Sequence, residues 1–202
     1  MINNTKLLKE SSINKMNLNK QELRKYYLAL RKNQDNKQKQ LKDDAIFLNT
    51  INYLIKHQEY KKIGIYYSNI DEVDTLKIIE WLIKNRYEVY LNKIIDRQNR
   101  LMQFGKIYDL SFEKEKIYKN IIQPKNNEYI NKNELDIILI PVVAYDNNCN
   151  RIGMGYGYYD NYLKDTCAIK IGLAYKLQKT DHIHKEPHDV KLDLIINEDG
   201  IR

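Results

Sequence analysis

Glycine is scarce in this chain: 202 residues contain seven, and three of the seven fall at positions 153, 155 and 157. The length allows one sizeable core or, at a stretch, two small ones, and with no internal repeat and no low-complexity linker a single domain is expected. Cysteine is scarcer still. Cys149 and Cys167 are the only two, and their spacing fits neither a metal site nor a redox pair, so a reduced, cytoplasmic setting is expected. No apolar run approaches the ~20 residues of a membrane-spanning helix. The opening stretch, "MINNTKLLKESSINKM", lacks the apolar core of roughly 7–15 residues that marks a secretory signal.

What is present is ordinary for a soluble globular protein, with 43% hydrophobic and 30% charged residues, enough for one sizeable core. Charge is less evenly spread. Of the net +7, residues 1–44 supply six, from 11 Lys/Arg against five acids. A basic end of this kind serves nucleic acid, membrane phosphate or a phosphorylated small ligand, or is simply a solvated helix face.

Residues 1–16 are polar and aperiodic and read as a flexible tail, leaving 17–202 as a single domain. A helix is predicted from Asn19, with Glu22 completing a capping box. On its wheel Lys20, Arg24 and Arg31 lie within about 40° of one another, a cationic edge beside the apolar Leu23, Tyr26, Tyr27 and Leu30. A second amphipathic helix is predicted over 36–57, burying Leu41, Ala45, Leu48, Ile51 and Ile55. Strands are predicted at 62–68, 87–94, 101–107 (an edge), 135–146 (central), 168–176 and 192–197, and helices at 75–85 and 157–165. The alternation makes the fold class α/β, a single three-layer domain with a mostly parallel sheet and helices on both faces. Ligands of such sheets bind beyond the strands' carboxyl ends, which directs attention to the loops after 62–68 and 135–146.

Three constellations could carry chemistry. In "RIGMGYGYYD" (151–160), glycines let backbone N–H groups approach an anion, a helix start adds a favourable dipole, and Arg151 can contact phosphate. The pattern is neither the dinucleotide G-x-G-x-x-G nor a P-loop, and a tight strand-to-helix turn would also use it. Tyr158 and Tyr159 can wall a ligand or pack the helix, and Asp160 suits the helix's first turn with or without one. In "SNIDEVDT" (68–75), Asp74 or Thr75 can cap the next helix, whereas Glu72 has no evident structural task. In "KEPHDVKLD" (185–193), Glu186, His188, Asp189 and Asp193 gather, and Asp189 with Asp160 would suit a hard cation such as Mg²⁺.

Taken together these segments resemble the 5-formyltetrahydrofolate cyclo-ligase family, also called 5,10-methenyltetrahydrofolate synthetases. The resemblance rests on Lys20 and Arg24 in "KQELR", on "EVDT" (72–75), "LIPVVAYD" (139–146), "RIGMGYGYYD" (151–160), "IGLAYKLQ" and "EPHDVKLD", in order along nearly the whole chain. Tyr156, Met154 and Asn161 stand where relatives often carry glycine or a basic residue. The resemblance implies a scaffold shared with sugar-phosphate isomerases and CoA transferases. It also implies ATP- and Mg²⁺-dependent cyclisation of 5-formyltetrahydrofolate to 5,10-methenyltetrahydrofolate through a phosphorylated formyl group. Lys20, Arg24, Arg151, Gly153, Gly155, Gly157 and Tyr158 would then meet ATP. Tyr67, Glu72, Met154, Tyr158 and Tyr159 would meet the folate, Asp160 and Asp189 the metal, and Lys20, Arg151 and Tyr159 the reacting groups. No nucleic-acid or membrane partner is expected, and a monomer is. The competing readings are a basic nucleic-acid-binding module and another phosphate-ligand enzyme on the same scaffold.

Overall fold

Asn19 starts the first helix as its sequence demands. Its side chain accepts from the Gln21 and Glu22 amides at 2.9 and 3.0 Å, and the Glu22 carboxylate accepts from the Asn19 amide at 2.9 Å. The computed structural model describes residues 18–117, 121–125 and 128–202; the tail expected over 1–16 lies outside them. In chain order the elements are α1 (Lys20–Lys32), α2 (Asn36–Lys56), β1 (Lys62–Ile65), α3 (Leu76–Lys84), β2 (Glu88–Asp96) and β3 (Leu101–Ile107). There follow β4 (Lys114–Lys116), β5 (Ile122–Pro124), β6 (Ile137–Pro141), β7 (Ala144–Tyr145) and β8 (Arg151–Ile152). The chain closes with α4 (Tyr158–Leu163), β9 (Ile169–Leu173), β10 (Leu194–Asn197) and β11 (Gly200–Ile201).

Seven strands form one sheet in the order β11-β10-β9-β6-β1-β2-β3. The five inner strands run parallel, and β3 and β11 close the edges antiparallel. The β-residues alternate as period 2 requires. Ile63, Ile65, Val89, Leu91, Ile137 and Leu139 face Ile46, Leu54, Ile78 and Leu82 of α2 and α3. Ile138, Ile140, Phe104 and Ile195 face Tyr162 and Leu163 of α4. Helices therefore cover both faces, as the alternation predicts. A third cluster, Leu23, Tyr27, Val143, Ala144, Ile152 and Ile183, seats α1. No helix among the described residues is long and apolar enough to cross a membrane.

Two expectations are corrected. The face of α2 that packs is Asp43, Ile46, Thr50, Ile51 and Leu54, while Leu41, Leu48 and Ile55 are 64%, 57% and 49% exposed. Both stripes have helical spacing, and the polar members of the winning one are satisfied inside. The Thr50 hydroxyl donates to the Ile46 carbonyl at 2.7 Å, and Asp43 pairs with Lys39 at 2.7 Å. The expected strand 135–146 is broken: β6 ends at Pro141, which has no N–H to extend the ladder. The chain then pairs again as β7 with β8 in a separate two-stranded sheet.

β1 and β6 are neighbours, but the chain leaves β1 for β2 on one side and β6 for β9 on the other. The strand order therefore reverses between them, and such a switch point is where ligands of open parallel sheets bind.

Candidate functional site

The loop after β1 brings Glu72 indoors. Its Oε2 accepts from the Asn69 amide at 2.9 Å, and its side chain is one of the few buried charges. Burial pushes the Glu72 carboxyl up, against the opposing pull of Arg31 and of the Asn69 amide. Arg31, buried on α1, holds this loop. Its guanidinium reaches Asp71 at 3.0 and 3.2 Å, stands 3.9 Å from Glu72, and donates to the Val142 carbonyl beyond β6 at 3.3 Å. From the other side the Tyr175 hydroxyl lies 2.7 Å from Asp43 Oδ1 and 2.9 Å from the Glu72 carbonyl. Asp74 accepts from the Leu76 amide at 2.9 Å and so caps α3, while Thr75 donates to the Tyr66 carbonyl at 2.7 Å. Tyr67, half-buried, meets Phe112 edge-on at 5.9 Å, with Lys114 above both rings.

The glycine loop runs from β8 into α4. Arg151 is buried and turned onto Asp160, Nη2 to Oδ1 at 3.1 Å, with its guanidinium 5.5 Å from the Tyr159 ring centre. Its Nε and the Tyr159 hydroxyl are sequestered from solvent without a hydrogen-bond partner. Burial first, and then the charge of Glu72, push the Tyr159 phenol up, so it remains a neutral donor at any ordinary pH. Glu72, in the loop after β1, and Tyr159, on α4, are thus close enough for the charge of one to act on the other. Orphaned buried donors of this kind suit a polar ligand.

Arg24 reaches the same loop from α1. Its Nε donates to the Gly153 carbonyl at 2.8 Å, and a Cβ at Gly155, where φ is +88°, would lie 3.0 Å from its Cζ. Only glycine allows that approach. Gly157 caps α4 with φ +75°. Met154 and Tyr156 are exposed at the loop's crest, and the Tyr156 and Tyr158 rings are 6.2 Å apart.

Lys20 lies at the other end of the site. Its ammonium is held by Asp189 and, at 2.7 Å, by Glu186. Burial opposes the Lys20 charge, but these two carboxylates outweigh it and raise its pKa. Glu186, His188 and Asp189 present ligand atoms within 4.8 Å of one another. The Lys20 ammonium already occupies two of these three ligand positions, so a hard metal ion there would have to displace it. Asp160 belongs to a different contact: its Oδ1 takes Arg151 and, at 3.3 Å, the amide of Val190, the residue after Asp189.

The three cations expected on one edge of α1 part company because the helix climbs about 1.5 Å per residue. Lys20 meets Asp189, Arg24 meets Gly153, and Arg31 meets Asp71 and Glu72. Sequence reasoning missed Asp43, whose signal was a lone acid on an apolar helix stripe, and the turn "DRQNR" (96–100). Arg97 and Arg100 of that turn line a groove of about 450 Å³ with Gln98, Gly155, Tyr156 and Tyr158.

The profile of the "5-formyltetrahydrofolate cyclo-ligase family" matches residues 16–198. The 5-formyltetrahydrofolate cyclo-ligase of Haemophilus influenzae is 30% identical over 88% of this chain and 97% of its own. That of Mycoplasma genitalium is 32% identical over 89% and 98%. Among solved structures, a 5,10-methenyltetrahydrofolate synthetase from Mycoplasma pneumoniae superposes with a TM-score of 0.75 at 29% identity, covering 90% of this chain and 99% of that one. The Aquifex aeolicus 5,10-methenyltetrahydrofolate synthetase gives 0.78 at 27% identity, covering 91% of each chain.

Proposed function

This chain belongs to the 5-formyltetrahydrofolate cyclo-ligase family, and on that premise we propose that it uses ATP to convert 5-formyltetrahydrofolate into 5,10-methenyltetrahydrofolate, releasing ADP and phosphate. The observation that carries the reading is the buried, partnerless Tyr159 hydroxyl at the start of α4, following a glycine loop gripped by Arg24.

The chemistry sets the requirements. A formyl oxygen leaves poorly at neutral pH. Its attack on the γ-phosphorus expels ADP and makes it part of a phosphate ester. N10 then bonds to the formyl carbon, the C–O bond breaks with release of phosphate, and N10 gives up its proton. The protein's task is to align the two substrates and neutralise phosphoryl charge.

Glu72 is assigned to the pterin N–H donors, where a carboxylate accepts two charge-assisted hydrogen bonds. Tyr67, Met154, Tyr158 and Tyr159 border the folate, and the Tyr159 hydroxyl donates to the reacting end. Arg24, Lys20, Arg151 and the backbone at Gly153, Gly155 and Gly157 take the phosphates. Incoming phosphates would give Lys20 and Arg151 a new anion, and Asp189 and Asp160 would then be the residues to hold Mg²⁺. The metal's contribution is charge neutralisation on the phosphate chain. The reading takes the enzyme as a cytoplasmic monomer. A nucleic-acid role fits less well, because Lys20 and Arg31 are already paired with acids of the fold.

The test is absorbance at the methenyl-folate band with 5-formyltetrahydrofolate, omitting ATP and then Mg²⁺. A rise that needs both supports the proposal, and no ATP-dependent rise overturns it.

A further inference from the structure

The turn between β2 and β3 is built to present arginines. Asp96 folds it, accepting from the Gln98 and Asn99 amides at 2.8 and 3.0 Å and from Asn99 Nδ2 at 2.7 Å. Its carboxylate is therefore occupied by the turn's own donors. Arg100 follows with φ +54°, a left-handed conformation that arginine adopts only when its surroundings hold it. They do: Asn161 Nδ2 on α4 donates to the Arg100 carbonyl at 3.2 Å.

The consequence is a cation placed over the glycine loop. A Cβ at Gly157 would lie 3.4 Å from Arg100 Nη1, while one at Gly155 would lie 3.0 Å from Arg24 Cζ. Two guanidiniums from distant parts of the chain thus approach glycines two positions apart. Among the described residues neither has a carboxylate at ion-pair distance. The groove beside them, about 450 Å³, is lined by Arg97, Gln98, Arg100, Gly155, Tyr156 and Tyr158. The Arg24 and Arg100 guanidiniums, drawn to one loop with no carboxylate paired to either, repel, and an anion removes that cost. Guanidinium is also the side chain best suited to grip phosphate oxygens in pairs.

We propose that Arg100, assisted by Arg97, forms an anion subsite on the β2–β3 turn that receives the phosphate chain of the nucleotide from the side facing away from α1. The loop's glycines admit the phosphates between Arg24 and Arg100, and Asn161 serves as the positioning residue that keeps the turn in place. This rests on the reading that the chain binds ATP.

Calorimetric titrations of MgATP and, separately, of 5-formyltetrahydrofolate into wild type, Arg100→Asn, Arg100→Lys and Arg97→Gln/Arg100→Asn test it. Asparagine tolerates the left-handed backbone, so the turn itself is preserved. The expected result is a MgATP Kd about ten-fold weaker in Arg100→Asn, weaker again in the double variant and partly restored by lysine, with folate affinity unchanged. Equal MgATP affinity in wild type and Arg100→Asn overturns the subsite while leaving the ATP reading intact. A loss confined to the folate titration overturns it in favour of the folate's carboxylates. A wild type that binds no ATP overturns both. Independently of any variant, MgATP should slow phenylglyoxal modification of Arg100 in the wild type, as mapped by mass spectrometry; equal modification with and without MgATP contradicts the proposal.

Discussion

Arg31 Nη2 stands 3.0 Å from Asp71 Oδ2 and 3.9 Å from Glu72 Oε1, and the same guanidinium donates to the Val142 carbonyl. One side chain on α1 therefore ties together the loops that follow β1 and β6. Replacing it with methionine leaves Asp71 and Glu72 without their cation, which should cost about 3 kcal/mol in urea unfolding. It also removes a charge that holds the Glu72 pKa down. The acid limb of folate-dependent turnover should then move to higher pH. A stability loss with an unmoved pH profile would reduce Arg31 to a structural role.

Glu72→Gln should separate stability from function. Burial lifts the Glu72 carboxyl above its ordinary 4.5, so the protonated form favours folding. That advantage is complete below 4.5 and is lost as pH rises through the folded value. Glutamine cannot lose a proton and keeps it. The variant should be at least as stable as wild type at neutral pH, with the difference vanishing in acid, yet bind folate about 2–5 kcal/mol more weakly. Equal folate affinity would remove Glu72 from the site.

The Lys20–Asp189 contact has the opposite sign. Burial works against the Asp189 charge, but Lys20 and the Glu186 amide outweigh it and hold the pKa below 3.8. The stability it supplies is present above 3.8 and lost as pH falls through the depressed value. Lys20→Met should cost about 1 kcal/mol at neutral pH for this partly exposed pair, and nothing below the Asp189 transition. Thermal melts across pH would show the two curves converging in acid; a constant gap would assign the loss to packing.

Gly155→Ala should damage nucleotide binding in particular. At φ +88° an L-residue is strained by about 1–2 kcal/mol, and the new Cβ would press on Arg24 at 3.0 Å. KM for ATP should rise with the folate KM unchanged. A uniform effect on both would point to general unfolding of the loop.

Much of this was readable in the residues. Period-2 and period-3.6 patterns identified the parallel core strands and α1, α2 and α3, and Asn19 with Glu22 marked the first helix start within a residue. The glycine loop stood out as a local concentration of a scarce residue, and Glu72 because no structural task explained it. What stayed hidden depended on three dimensions. The buried face of α2 could not be chosen from spacing, because Asp43 finds partners only when Lys39 and Tyr175 surround it. Arg31 was grouped with Lys20 and Arg24 on one edge because a helical wheel shows angle and discards height. The arginines of the β2–β3 turn carried no motif, and only the antiparallel hairpin swings them beside Gly155 and Tyr158.

The central claim is that the formyl oxygen is phosphorylated at this site, and isotope transfer tests it most directly. 5-Formyltetrahydrofolate labelled with ¹⁸O in the formyl group would be turned over with unlabelled MgATP, and the released phosphate analysed by mass spectrometry. The account predicts one ¹⁸O atom in the phosphate for each methenyl product formed. Unlabelled phosphate, with the label lost to water, would contradict it.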